Sequence, residues 1–215
     1  FLVAAGQSCW QILPLSPTSY GDSPYQSFST FAGNPYLIDL DTLIEEGLLL
    51  PGELEGIDWG ADPGRVDYGK LYNERARLLK IAFSRFEETG EFREFVRDNS
   101  LWLEDYALFM AIKEHFRGRD WQNWSVSLLM RLRPVMEAYR EELRESIHFQ
   151  YFVQYEFFRQ WRALRSYANS KGIRIIGDVP IYVPLDSVEV WSNPKMFQLN
   201  EDLKPKVVAG CPPDA

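Results

Sequence analysis

Apolar residues recur every three or four positions through most of the middle of this chain. Residues 71–89 carry Leu71, Leu78, Leu79, Ala82, Phe83 and Phe86 at that spacing, which predicts a helix stopped by Gly90. Phe92, Phe95 and Val96 continue the pattern briefly. Residues 103–116 give the clearest helix of the block, ending at Gly118. Residues 131–145 predict another, with Pro134 in a first turn where its missing N–H does no harm. Residues 149–169 form a long run in which Phe152, Tyr155, Phe158, Arg162 and Tyr167 share one broad face, closed by Ser170-Lys171-Gly172. A shorter helix is expected over residues 39–46, capped by Asp39 or Asp41 and ended by Gly47.

The pattern condenses in two places. Residues 8–15, S-C-W-Q-I-L-P-L, read as a short buried strand stopped by Pro14 and Pro17, after a helix end that closes near Gly6. Residues 173–177 read as a second buried strand that begins as soon as Gly172 ends the long helix. Helix, tight turn and buried strand make half of a βαβ unit, hence an α/β fold. A crossover between parallel strands needs only about a dozen residues, and the two strands here stand roughly 155 apart. Residues 60–150 are therefore expected to be an inserted, mainly helical subdomain, flanked by the α/β portions at residues 1–59 and 151–215. The chain opens as if inside a helix and stops at Cys211-Pro212-Pro213-Asp214-Ala215 without a closing element, as an internal piece of a larger protein would.

Composition narrows the partners. The formal net charge is −8, from 23 basic and 31 acidic residues, with no basic stripe. Nucleic-acid backbones and anionic membrane surfaces are poor partners for such a chain, and neutral polar substrates fit better. No apolar stretch of 18 residues is present to span a membrane. Cys9 and Cys211 form neither a CxxC motif nor a disulfide framework, which makes a reducing, cytoplasmic setting the expectation.

Candidate chemistry sits in two loops. Asp178 follows the second strand and precedes Val-Pro-Ile-Tyr-Val-Pro, whose prolines would hold a carboxylate still; the plainer alternative is a turn cap or a partner for a buried arginine. Asp186 and Glu189 follow, where Asp186-Ser187 could equally begin a helix, and Trp191 is either a core plug or a stacking surface. Residues 16–36 are rich in Ser, Pro, Gly and aromatics, too long for a plain connection. Tyr20 and Tyr25 lie there outside any core periodicity, beside Asp22 and Gln26, in a composition suited to sugars: rings for their apolar faces, polar groups for their hydroxyls. The alternative is a loop packed on itself. His115 and His148 lack partners at zinc spacing and read as structural, Cys9 as a buried strand residue, and the tryptophans of R-D-W-Q-N-W as packing of the insert. There is no HExxH, Ser/His/Asp or phosphate-loop pattern.

Three segments together carry a family resemblance: S-C-W-Q-I-L-P-L-S-P-T-S-Y-G-D-S-P-Y-Q-S-F-S-T-F-A-G-N-P-Y-L-I-D-L, W-L-E-D-Y-A-L-F-M-A-I-K and G-D-V-P-I-Y-V-P-L-D-S-V-E-V-W. They resemble the bacterial 4-α-glucanotransferases of glycoside hydrolase family 77, the amylomaltases or disproportionating enzymes, across essentially the whole chain. The resemblance implies a partial (β/α)₈ TIM barrel of the α-amylase type, with barrel strand 2 near residues 10–15, strand 3 near 173–177 and the helical insert walling a glucan groove. Strand 1 would precede Phe1 and strands 4 to 8 would follow Ala215. It implies that Asp178 supports the catalytic centre at the donor-sugar end, that Tyr25 stacks on the sugar there, and that Tyr20 serves a second glucan groove. Asp214 would belong to a Pro-Pro-Asp loop over the acceptor side, where Ala215 replaces the tyrosine of some members, and Asp186 would support the cleft. The implied activity is retaining transfer of α-1,4-glucan segments to glucose or maltooligosaccharides by double displacement, with nucleophile and acid/base beyond residue 215 and no metal or organic cofactor. An amylase-like hydrolase, or a non-catalytic glucan-binding module using Tyr20, Tyr25 and Trp191, are the alternatives.

Overall fold

In a computed structural model that describes residues 1–62, 64–208 and 210, the two strands form one small parallel sheet. Strand β1, Cys9–Gln11, pairs with β2, Arg174–Ile176, in the register Cys9↔Arg174, Trp10↔Ile175 and Gln11↔Ile176. The ladder gains a bond at each end, from Arg174 N–H to the Ser8 carbonyl and from Ile12 N–H to the Ile176 carbonyl, both at 2.9 Å. The first strand is shorter than residues 8–15, since proline at 14 has no N–H to give a ladder. Neither strand is buried as expected. Trp10, Leu13 and Ile176 are exposed and Cys9 is half-buried, because a sheet with only two strands among the described residues leaves its flanks uncovered.

Helix α1, Leu40–Glu45, is capped by Asp39, whose carboxylate accepts the Thr42 N–H at 3.0 Å, and Gly47 turns the chain out of it at φ 74°. After a 3₁₀ turn at Pro51–Glu53 comes α2, Tyr68–Arg85. Glu53 takes both guanidinium nitrogens of Arg85, at 2.8 and 2.6 Å, and the Leu50 N–H at 2.9 Å. The Arg85 hydrogen bonds are the main reason its carboxyl falls from 4.5 to about 2. A depressed carboxyl stabilises the fold fully above its unfolded value and loses that effect as pH falls through its folded one. Glu53→Gln should therefore flatten part of the acid-induced fall in melting temperature between pH 4.5 and 2; an unchanged profile would mean the pair contributes nothing.

Gly90 does not stop α2. It opens α3, Gly90–Asp98, behind a Thr89 cap that accepts the Phe92 N–H at 3.1 Å. The break comes four residues earlier, where Phe86 turns extended and inserts its ring between Phe152 and Phe92, at centroid distances of 4.9 and 5.1 Å. Next come α4, Ser100–His115, the short α5, Val126–Leu129, and α6, Arg133–Glu142, with Pro134 in its first turn. Helix α4 is apolar on most sides, burying Leu103, Tyr106, Leu108, Phe109 and Ile112, so it forms the centre of the helical block.

Helix α7, Arg144–Ser170, spans about 40 Å at 1.5 Å per residue. It packs on α2, α3, α4 and α6 and on β2, and so belongs to both the helical block and the sheet layer. The expected boundary at residue 150 falls inside it. Two apolar clusters meet along it, one with α4 and Trp121, Trp124 and Trp191, the other with α1, α2 and Phe152 and Phe157. The helix ends at Gly172, φ 76°, where the Ile173 N–H bonds back to the Ala168 carbonyl at 3.0 Å and β2 begins. Helix α8, Val188–Ser192, follows the loop after β2. The tryptophans of R-D-W-Q-N-W pack the insert as expected. His115 lies against Phe116 and Tyr139, and His148 meets Glu88 at 3.2 Å. Among the described residues no helix is long and apolar enough to cross a membrane.

Candidate substrate site beyond the strand ends

Both candidate loops leave the same edge of the sheet. Residues 16–36 follow the C-terminal end of β1 and residues 177–187 follow that of β2, the edge where open and closed parallel sheets gather functional groups. The first loop is ordered by its own backbone. Thr18 and Ser27 form an antiparallel bridge, the Ser19 N–H reaches the Gln26 carbonyl at 2.8 Å, and a 3₁₀ turn at Tyr20–Asp22 rounds the tip with Gly21 at φ 78° and Asp22 at φ 55°. The base is stapled to the helices. The Asn34 N–H bonds the Leu15 carbonyl at 2.8 Å, and Gln154, wholly buried on α7, accepts the Gly33 N–H at 2.7 Å while donating to the Gly33 carbonyl at 3.0 Å. Gln160 does the same for Asp39.

The fold brings two of the expected residues together across 153 positions of sequence: the Tyr25 hydroxyl donates to Asp178 Oδ2 at 2.7 Å. The Val179 N–H takes the other carboxylate oxygen at 2.8 Å. The bond to Asp178, then burial and the nearby negative charge, raise the Tyr25 phenol above its ordinary value, so it remains a donor. Each Asp178 oxygen keeps a lone pair for further donors. Both side chains are exposed, and so are Val179, Ile181 and Tyr182, which follow Asp178 in the same loop. A fixed polar pair with an apolar rim can hold hydroxyls and an apolar ring face at once.

Asp186 is engaged elsewhere. It pairs with Lys113 of α4, whose side chain is 5 % exposed, and accepts the Trp121 N–H at 3.4 Å. Burial pushes its carboxyl up, against the pull of Lys113. It ties the loop after β2 to the helical block and shares no hydrogen bond with Tyr25 or Asp178. Trp191 is a core plug with no exposed surface, its indole N–H donating to the Leu128 carbonyl at 3.1 Å, so the reading of it as a stacking platform is corrected. Tyr20 stands in the 3₁₀ turn at the loop tip. Asp214 lies outside the described residues. Gln154 and Lys113 were not among the expected site residues; the only trace each leaves in sequence is a polar side chain inside an apolar helical stripe.

A family model described as the 4-alpha-glucanotransferases of glycoside hydrolase family 77 matches residues 1–215. The 4-alpha-glucanotransferase of Clostridium butyricum is 50% identical over 218 residues, covering 100% of this chain and 45% of its own length. That of Thermus thermophilus is 50% identical over 220 residues, with 100% of this chain and 43% of the relative covered. The solved amylomaltase of Streptococcus agalactiae, in complex with acarbose, superposes with a TM-score of 0.95 at 46% identity, over 100% of this chain and 44% of that one. The chain thus spans a little under half the length of the relatives it matches. With every residue inside the matched model, it belongs to glycoside hydrolase family 77, the 4-alpha-glucanotransferase family.

Proposed function

We propose that the full-length protein carrying this chain is a 4-α-glucanotransferase that moves segments of α-1,4-glucans onto glucose or maltooligosaccharide acceptors. The observation that carries the proposal is the 2.7 Å bond between Tyr25 and Asp178, set at the shared C-terminal edge of two parallel strands in a chain of this family. On this reading β1 and β2 are strands 2 and 3 of a (β/α)₈ barrel and residues 60–150 wall the glucan groove. Asp178 receives hydroxyls of the donor sugar while Tyr25 offers its ring face to that sugar. Asp186 holds the loop after β2 against the insert and so supports the cleft from behind. Tyr20 serves a second groove and Asp214 the acceptor side.

The chemistry is retaining double displacement: a carboxylate attacks the anomeric carbon, and a carboxylic acid protonates the departing oxygen, then takes the proton of the acceptor hydroxyl. Both groups lie outside this chain in the proposal. The apolar rim of Val179, Ile181 and Tyr182 favours a sugar over water at the donor end, and transfer over hydrolysis depends on such exclusion. No cofactor enters the scheme. The paucity of cysteine supports a cytoplasmic site of action. A binding module resting on Tyr20, Tyr25 and Trp191 loses support, because Trp191 has no face to offer.

Incubating the full-length protein with maltotriose tests the proposal. Two maltotrioses should yield one glucose and one maltopentaose, then longer chains. Glucose and maltose alone would replace the transferase with a hydrolase, and no products from folded protein would sink both.

A further inference from the structure

The two loops that supply Tyr25 and Asp178 touch twice, and the second contact converges on one carboxylate oxygen. Glu189, in the first turn of α8, accepts at Oε1 from the Ser29 hydroxyl at 2.9 Å, the Thr30 N–H at 2.9 Å and the Thr30 hydroxyl at 3.1 Å. Beside it the Val188 N–H donates to the Phe28 carbonyl at 2.9 Å. Ser29 is itself the centre of a knot: its hydroxyl accepts the N–H groups of Phe31 and Ala32, at 3.2 and 3.3 Å, and the Ser27 hydroxyl donates to its carbonyl at 2.6 Å. Glu189 therefore grips a stiff segment that begins two residues after Tyr25. On its own strand side, Ser187 Oγ closes a turn onto the Pro184 carbonyl at 2.6 Å and Asp186 is held by Lys113, so the grip is anchored to the helical block. The second carboxylate oxygen, Oε2, is buried and has no hydrogen-bond partner among the described residues.

We propose that Glu189 is a positioning residue for the donor-sugar pair: it sets the distance between the loop of Tyr25 and the loop of Asp178, and so keeps the 2.7 Å bond between them formed before substrate arrives. This rests on the function proposed above. Charge-assisted bonds of this kind hold geometry more firmly than neutral ones, and an active-site pair that is already in place loses less on binding. Without Glu189, one exposed tyrosine–aspartate bond and one backbone bond would be the hydrogen bonds left between the two segments among the described residues, beside the apolar packing of Phe28, Ala32 and Val188.

The test uses the full-length protein with 3-fluorotyrosine at position 25, read by fluorine NMR, alongside transfer from maltotriose. Glu189→Ala should move the fluorine resonance toward its position in the Asp178→Ala variant and lower kcat/KM roughly tenfold. Glu189→Gln, which keeps an oxygen at Oε1, should restore most of both. In a Tyr25→Phe background Glu189→Ala should cost little more, because its effect runs through that pair; an equal loss in both backgrounds would mean a purely structural role and overturn the proposal. If Glu189→Ala does not fold, Thr30→Val removes one donor without changing shape, and an unmoved resonance there would equally overturn it. A wild-type protein that transfers no glucan would sink the proposed function and leave the resonance test standing.

Discussion

Replacing Gly33 by alanine is expected to destabilise the protein by about 3 kcal/mol or more, at the upper end of what overpacking a core costs. The glycine is required for space. A Cβ at residue 33 would stand 1.9, 2.2 and 2.3 Å from three ring carbons of Phe157, far inside van der Waals contact. Neither side can yield cheaply. The Phe157 ring is buried in the cluster with α1 and α2 and packs edge-on against Phe158 at 5.2 Å. The Gly33 backbone is held by both ends of the Gln154 amide, so moving away from the ring would break two buried hydrogen bonds. The strain would also reach the site, because residue 33 lies at the base of the loop that carries Tyr25. Urea unfolding of the full-length protein would read the loss as a lower midpoint, and Gly33→Ala with Phe157→Leu should recover part of it. A wild-type midpoint for Gly33→Ala would mean that the loop base is free to shift.

How much of this was legible from sequence depends on how local each cause is. The end of α7 and the start of β2 were readable because Gly172 and the β-branched run after it act within a few residues. Asp178 and Tyr25 stood out because each sits among turn-forming residues with no periodic reason for its type. That they form one pair was not readable from composition or spacing, since it depends on β1 and β2 lying side by side after a long helical excursion. The same limit explains the misses. Gly90 looked like a stop, but the chain had already turned at Phe86, whose ring is drawn into an aromatic cluster built largely by α7. Trp191 offered two readings until the helical block closed over it. The pairing of Asp186 with Lys113 was equally out of reach of the sequence, since it is a property of how α4 meets the loop after β2. Gln154 holds the Gly33 backbone, and a partner that can be any peptide group leaves no pattern in sequence; Glu189 bonds Ser29 and Thr30 from about 160 positions away, a distance no local pattern bridges.

Asp178→Ala should lower kcat/KM for glucan transfer by roughly 10- to 150-fold, the range that corresponds to losing a hydrogen bond to a charged group of about 1.5–3 kcal/mol. The aspartate is exposed and, among the described residues, bonded only to Tyr25 and to the Val179 N–H, so the fold depends little on it and the melting temperature should stay within a degree or two of wild type. Activity depends on it more heavily, for two reasons that act together. On the proposed function the carboxylate would accept donor-sugar hydroxyls, and its bond to the Tyr25 hydroxyl would aim that ring; its removal would free the phenol to turn away from the sugar face. Tyr20→Ala, at the tip of the same loop, should cost several-fold less, because in the proposed function Tyr20 would serve a second groove that takes no part in the bond change on maltotriose. Measuring both variants on maltotriose separates the roles. A large loss for Asp178→Ala with a near-native melting curve places the pair at the reacting end of the cleft. Small and equal losses from the two would show that the 2.7 Å bond merely ties one loop to another, and the donor-site assignment would fall with it.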